Sequence, residues 1–382
     1  MENSQNIKSM PQISSERLVS VDVFRGMTMA GMILVINPGS WKYKYSILSH
    51  ANWNGCTFAD LIFPFFLFIV GMSIVFALSK VVEKGLPKKD LYLKIVKRAM
   101  ILFFLGLFLN AFPEFKISEF RLMGVLQRIA LCYLIVSIII LHTNLRGQVI
   151  WTVSLLFVYW ALMAWIPVPG VGAGHFEKNA NFATYFDRFF LTGVMGYYEK
   201  LGEPEGIIST LTSLSSTLFG VLTAQLLKKN ISKMEKTFTM LIPGVLFILL
   251  GILWGHLLPI NKHLWTSSYV ILTTGYALVI FAVLYYLIDI KGYQKGFRPF
   301  LAFGTNAITV YVLSIVLARL IKIMTFTIAD GTEYHLRSWL YDKALQPLLG
   351  NLNASVAWAL LYIPFWYGIM LIFYKRKIFI KI

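Results

Sequence analysis

Cysteine is nearly absent from this chain, and negative charge is scarce. The two cysteines, Cys56 and Cys132, stand far apart and neither has zinc-site spacing, so no disulfide framework and no metal centre is expected. Only 14% of the 382 residues are charged against 57% hydrophobic, and the mean hydropathy is +0.68. Those values lie far from a soluble globular domain. Asp and Glu total 18 against 35 Lys and Arg, a formal net charge of +17. An excess of that size invites a nucleic-acid reading. The basic residues fall instead in short clusters between apolar runs, the pattern of membrane topology, and no nucleic-acid partner is expected. Walker A and G-x-S-x-G motifs are missing too, which leaves ATP-driven transport and conventional serine esterase chemistry without support. Met1 to Ser20 is polar and no small-residue cleavage pattern follows the first apolar run, so that run is expected to stay as a first span.

What is present is a succession of long apolar segments. Crossing about 30 Å of hydrocarbon takes about 20 mostly apolar residues. About ten such segments are read, over 21–37, 58–79, 93–112, 122–142, 148–166, 207–227, 236–257, 264–288, 298–323 and 353–374. The connections alternate in character. One set carries Lys80, Lys84, Lys88, Lys94, Lys97 and Arg98, then Arg146, then Lys228 to Lys236, then Lys291 to Arg298, and finally Lys375 to Lys377. The other set is longer and mixed in charge, with Glu114, Glu119, Glu203, Glu205 and Asp330. Basic connections are retained in the cytoplasm. The expectation is an all-α polytopic transmembrane helix bundle with both termini cytoplasmic. It divides into an N-terminal segment 1–20, a membrane domain 21–374 and a tail 375–382, with outer loops at about 167–206 and 324–352 folded over the outer face.

Ionisable groups in a bilayer face a cavity, a partner or a pathway. In "SVDVFRGM" Asp22 and Arg25 lie three apart on one helix face, either as an interfacial ion pair or with Arg25 turned to an anionic ligand. Asn37 precedes Pro38-Gly39, where the first span must stop, and caps it or serves the neighbouring His50. In "HANWNGCTFAD" a short turn separates His50 from Asp60 at the head of the second span. A carboxylate that accepts the Nδ1 proton fixes the tautomer and leaves Nε2 free to take a proton. The alternative is an interfacial histidine beside a carboxylate favoured by the helix dipole. Arg128, in "GVLQRIA", lies inside a span and needs acidic or phosphate company, as a salt bridge or a ligand contact. Glu205 precedes a helix start rich in hydroxyls, and Asn261, Lys262, His263, Trp265 and Thr266 crowd one outer turn. Such polar and aromatic clusters suit a solvated loop or a sugar. Asn306, in "GTNA", bonds a neighbouring helix or serves a site.

Several blocks stand in order: "SVDVFRGM" with Asn37, "HANWNG" before "ADLIFPFFLF", "GVLQRIA", "EPEG", "PINKHLWT" and "GTNA". Together they resemble the heparan-α-glucosaminide N-acetyltransferase family of transmembrane acyltransferases, including its shorter bacterial members, over residues 18 to 315. The resemblance implies transfer of acetyl from cytoplasmic acetyl-CoA to the amine of a glucosamine-type sugar across the membrane. It implies catalytic roles for His50, Asn37 and Asp60. Acetyl-CoA is expected to meet Arg25, Arg98, Arg128 and Arg298, and the sugar Trp53, Glu205, Asn261, Lys262 and Trp265, with no metal. A homodimer in a bacterial cytoplasmic membrane, lacking the luminal domain of lysosomal members, is expected from the same likeness. Some bacterial relatives carry an N-acetylglucosamine-transport label, so a permease is the alternative.

Overall fold

The computed structural model describes residues 18–83, 88–116, 120–196, 198, 202–327 and 333–380. The N-terminal segment up to residue 17 lies outside the described residues, as do Lys84, Glu119, Asp330 and the side chains of Lys80 and Lys88.

The apolar segments are helices. In chain order they are α1 (Val19–Ile36), α2 (Phe58–Glu83), α3 (Lys88–Ala111), α4 (Val125–His142), α5 (Leu145–Trp165), the short α6 (Phe182–Leu191), α7 (Ile207–Lys228), α8 (Lys233–Trp254), α9 (Ser267–Tyr285), α10 (Arg298–Thr305), α11 (Ala307–Ile323), α12 (Leu336–Trp339) and α13 (Gln346–Lys375). A small antiparallel hairpin, β1 (Thr325–Thr327) with β2 (Glu333–His335), follows α11. The chain is an all-α polytopic helix bundle, and its apolar helices make it an integral membrane protein.

Backbone groups in lipid must be satisfied within the chain, which is why each crossing is helical. Side chains close the starts of α5, α6 and α8. Asn144 accepts from the Gly147 N–H, Asn181 from Thr184 and Ser232 from Glu235, each the standard capping contact. Helices α1, α2, α7 and α9 are buried along most of their length, while α5, α8 and α13 turn apolar faces outward. Small residues bring the central helices together. A Cβ on Gly71 of α2 would lie 1.9 Å from the Thr217 carbonyl of α7, and one on Gly220 of α7 1.9 Å from the Phe68 carbonyl of α2. Gly26 and Gly304 do the same for α1 against α10. Close backbone approach of this kind replaces the hydrophobic drive that lipid cannot supply.

Each of the ten expected segments is helical, with 298–323 formed by the pair α10 and α11. Among the described residues eight helices are long and apolar enough to cross a membrane, or nine if the pair α10 and α11 is one span. That pair is bent by 75° at Asn306. Helix α3 falls short because Lys94, Lys97 and Arg98 leave only 99–111 free of charge, about 20 Å of rise. It still carries the chain back along the bundle. The helix order therefore defines two ends. One bears His50 and the long connections; the other bears the lysine-rich turns, the start of α1 and the end of α13.

Candidate active site

The loop leading into α2 is tied to the loop leading into α9. Gly55, at φ +117, turns the first loop so that its N–H donates to the Ile260 carbonyl at 2.7 Å. Asn261 Nδ2 donates to Asn54 Oδ1 at 3.1 Å. These bonds seat His50 and Lys262 face to face.

Asp60, in the first turn of α2, is fully buried and divides its two oxygens. Oδ2 accepts from the Ala51 and Thr57 N–H groups at 3.0 Å each and lies 3.0 Å from the Thr57 hydroxyl. Oδ1 is left for His50 Nδ1 at 2.8 Å. An ionised carboxylate only accepts, so Nδ1 carries the proton and Nε2 presents a lone pair. Lys262 Nζ lies 3.0 and 3.1 Å from the two imidazole nitrogens and 3.7 Å from Asp60 Oδ1. Near-equal distances to both nitrogens put the ammonium over the ring, not in line with either lone pair. Burial lowers the His50 pKa most, the Asp60 bond opposes this, and the Lys262 charge adds to the lowering. The imidazole is thereby held neutral near pH 7. Burial also lowers the Lys262 pKa, against the pull of Asp60 and Glu205.

These groups line a cavity of about 570 Å³ at the His50 end. Trp265, 1% exposed, forms part of its floor, with its ring edge-on to Phe63 at 5.0 Å and its Nε1 donating to Ser216 Oγ. Trp53 stands in the wall beside His263, ring centres 5.1 Å apart, and donates to the Phe176 carbonyl. On the opposite side Arg121 binds Glu203 through Nε and Nη2, at 3.0 and 2.5 Å, and also reaches Glu205. Burial raises the Glu203 pKa, while Arg121 and then Arg128 hold that of Glu205 down. Asp187, on α6, accepts from the Ile207 N–H at the start of α7, and burial pushes its carboxyl up to about 7.

A second cavity, of about 300 Å³, lies toward the lysine-rich end. Arg25 is set there by Asp22 at 3.0 Å, Ser73 Oγ at 2.8 Å and the Gly304 carbonyl at 3.2 Å. Arg98 stacks over the Tyr133 ring at 4.8 Å, and its buried Nε has no partner among the described residues. Asn306, at the break between α10 and α11, holds the tail in a two-point clasp. Its Nδ2 donates to the Ile378 carbonyl and its Oδ1 accepts from the Ile380 N–H, both at 3.0 Å. Ile380 thereby closes part of this cavity.

Both cavities use one face of α2. Ala59, Ile62 and Phe63 line the first, and Phe66, Ile69, Val70 and Ser73 the second. Steps of three and four keep all of these on a single stripe. On α4, Val125 lines the first cavity and Ile129 and Tyr133 the second. One helical turn thus separates the two, and Asp60 to Ser73 is about 20 Å along the axis.

Of the residues singled out in the sequence, the structure brings His50, Asp60, Trp53, Glu205, Lys262 and Trp265 to one cavity and Arg25 and Arg98 to the other. It does not bring Asn37 to His50. Asn37 ends α1, donates to the Ile33 carbonyl at 3.1 Å and lines a third cavity. Asn261 is fully buried behind the wall, spent on tying the loops. Arg128 is not beside Arg25. Because α4 starts at the His50 end, this guanidinium sits 5.1 Å from the Trp265 ring and donates to Ser209 and the Gly206 carbonyl. Arg298 opens α10 with an exposed side chain and lines neither cavity. Arg121 and Glu203 were missed. The signal that could have found them is that a buried charge must be paired, which does not say with which distant segment.

Residues 17–187 match the family model described as heparan-alpha-glucosaminide N-acetyltransferase, catalytic. That stretch contains His50, Asp60, Arg25, Arg98 and Arg121. The chain is 28% identical to mouse heparan-alpha-glucosaminide N-acetyltransferase, with 97% of this chain and 61% of the relative covered. Against the human protein of the same name it is 30% identical, with 96% and 60% covered. The chain is similar to these two heparan-alpha-glucosaminide N-acetyltransferases. It spans about 60% of the length of these two curated relatives.

Proposed function

We propose that the protein is a transmembrane acetyltransferase that passes acetyl from acetyl-CoA, entering at the lysine-rich end, to the amine of a glucosamine-type sugar at the His50 end. The observation that carries this reading is the common stripe of α2 beneath both cavities. CoA phosphates are too costly to draw through hydrocarbon. They stay with Arg25 and Arg98, while the thin pantetheine arm reaches along the stripe and presents the thioester beside His50.

Asp60 holds the imidazole in the tautomer whose Nε2 accepts a proton. The sugar amine attacks the thioester carbonyl carbon, and Nε2 takes the proton that the nitrogen sheds. Collapse of the tetrahedral intermediate breaks the C–S bond, and His50 returns that proton to the leaving thiolate. The products are the N-acetyl sugar and free CoA. The negative oxygen needs a donor nearby. Asn37 lines the third cavity and not the one that holds His50, so the Lys262 ammonium, 3.0 Å from His50, takes that part. A relation to glucosaminide N-acetyltransferases supports the amino-sugar acceptor. The basic turns support a cytoplasmic donor end and an outward acceptor end, in a bacterial cytoplasmic membrane.

The test is release of free thiol from acetyl-CoA by detergent-purified protein with and without glucosamine. Release that needs the amino sugar, and falls about 10²–10⁴-fold in His50→Ala, is expected. Accumulation of labelled N-acetylglucosamine by proteoliposomes without acetyl-CoA, and no thiol release, would make the protein a permease instead.

A further inference from the structure

A third cavity, of about 370 Å³, opens at the His50 end between the end of α1, α11 and α13 and has no part in the reaction above. Among the described residues its wall holds three cations, Arg319, Lys322 and Arg337, and no carboxylate. The two guanidiniums are fixed by backbone. Arg319 Nη1 donates to the Leu109 and Phe112 carbonyls, and Arg337 Nη2 to those of Pro38 and Gly39, at 2.5 and 3.3 Å. Carbonyl oxygens orient a guanidinium without cancelling its charge. The hydrogen bonds to described residues use only one terminal nitrogen of each, so the remaining N–H groups are available to an acceptor from outside.

The rest of the wall is aromatic. Tyr311, Trp358 and Tyr362 are buried in it, and neither phenol hydroxyl has a hydrogen-bond partner among the described residues. Trp and Tyr beside cations are the side chains of the headgroup level of a membrane. Outside the cavity, Leu313 and Leu320 of α11 and Leu352, Leu360 and Leu361 of α13 are exposed.

We infer that this cavity binds the anionic headgroup of a membrane lipid, with its phosphate among Arg319, Lys322 and Arg337 and its acyl chains along the exposed leucines of α11 and α13. A free phosphate ion shares the charge chemistry, but it has no use for the aromatic wall or the leucines. The three cations outweigh the one negative charge of a phosphodiester, so a zwitterionic headgroup, which brings its own cation, binds less well.

Delipidated protein in detergent, mixed with equal amounts of phosphatidylglycerol and phosphatidylcholine of identical chains, is read by native mass spectrometry. Retention of one phosphatidylglycerol in about tenfold preference is expected, with Lys322→Gln lowering it about fivefold, the size of one headgroup charge contact. Lys322 is exposed and makes no hydrogen bond to described residues, so this variant leaves the fold alone. Arg319→Gln lowers retention as well; because it also frees two carbonyls, its melting temperature is read beside it. Equal retention of both lipids, or an unchanged preference in Lys322→Gln, overturns the inference. So does displacement of the lipid by inorganic phosphate at equal concentration, which would mark a site for a soluble anion.

Discussion

The Lys262 ammonium lies over the His50 imidazole, 3.0 Å from Nδ1 and 3.1 Å from Nε2, while Asp60 grips Nδ1 from the buried side. An imidazole between a carboxylate and a cation is pulled both ways. Burial and the two lysines that face it, Lys262 and Lys44, outweigh Asp60, so its pKa falls below the ordinary value.

The sign of the pH dependence follows. A base works only when neutral, so activity is lost on the acid side as pH falls through the lowered His50 pKa. Replacing Lys262 by Met removes a cation and raises that pKa. The acid limb of kcat/KM against pH should move to higher pH in Lys262→Met, with the maximum lowered about 10-fold or more through loss of the oxyanion partner. A limb that stays in place removes Lys262 from control of the imidazole.

The stripe shared by the two cavities is tested by filling it. Val70→Trp adds bulk on the face of α2 that lines the Arg25 cavity, one to two turns from Phe63. Acetyl transfer should fall at least 10²-fold while the variant keeps the wild-type melting temperature within a few degrees. Transfer at the wild-type rate would mean that the thioester reaches His50 by another path.

Arg98 separates donor from acceptor. Its guanidinium rests on Tyr133 and its Nε has no partner among the described residues, so Arg98→Gln costs the fold little and the donor a charged contact. A charge-assisted bond to phosphate is worth about 1.5–3 kcal/mol, or about 10- to 100-fold in the KM for acetyl-CoA. The KM for the amino sugar should not change. A rise in both would place Arg98 in the architecture of the bundle.

Asp187 predicts a stability effect apart from catalysis. Its folded pKa is raised to about 7 from 3.8, so the folded chain holds a proton that the unfolded chain gives up. Stability is therefore greatest below pH 4 for this group and is lost as pH rises through about 7. Asp187→Asn retains an acceptor for the Ile207 N–H and does not ionise. Its melting temperature should decline less between pH 5 and 8 than that of wild type; parallel declines would show that the carboxyl does not titrate there.

The helices were legible because hydrocarbon demands long apolar runs, and the His50–Asp60 pair because a turn that ends in a helix start returns the chain onto itself. Other features depend on which neighbour arrives, and a sequence does not carry that. Asn37 sits close to His50 along the chain, yet α1 ends with its side chain folded back on Ile33. Arg128 was assigned to the nucleotide because any buried arginine suits a phosphate; the direction of α4 gives it Ser209 and Trp265 instead. The bend at Asn306 was invisible because apolar residues continue on both sides of it. The sharing of Arg121 by Glu203 and Glu205 joins segments 82 and 84 positions apart, beyond the reach of any periodic pattern.

The clasp between Asn306 and the backbone of 378–380 makes the last described residues a wall of the chamber that Arg25 and Arg98 share. An affinity handle or fluorescent reporter fused after them would tug on the doorway of the donor. On the function proposed above, a fusion placed there is itself a perturbation of nucleotide entry, and handles for this protein belong on the loops of the His50 end.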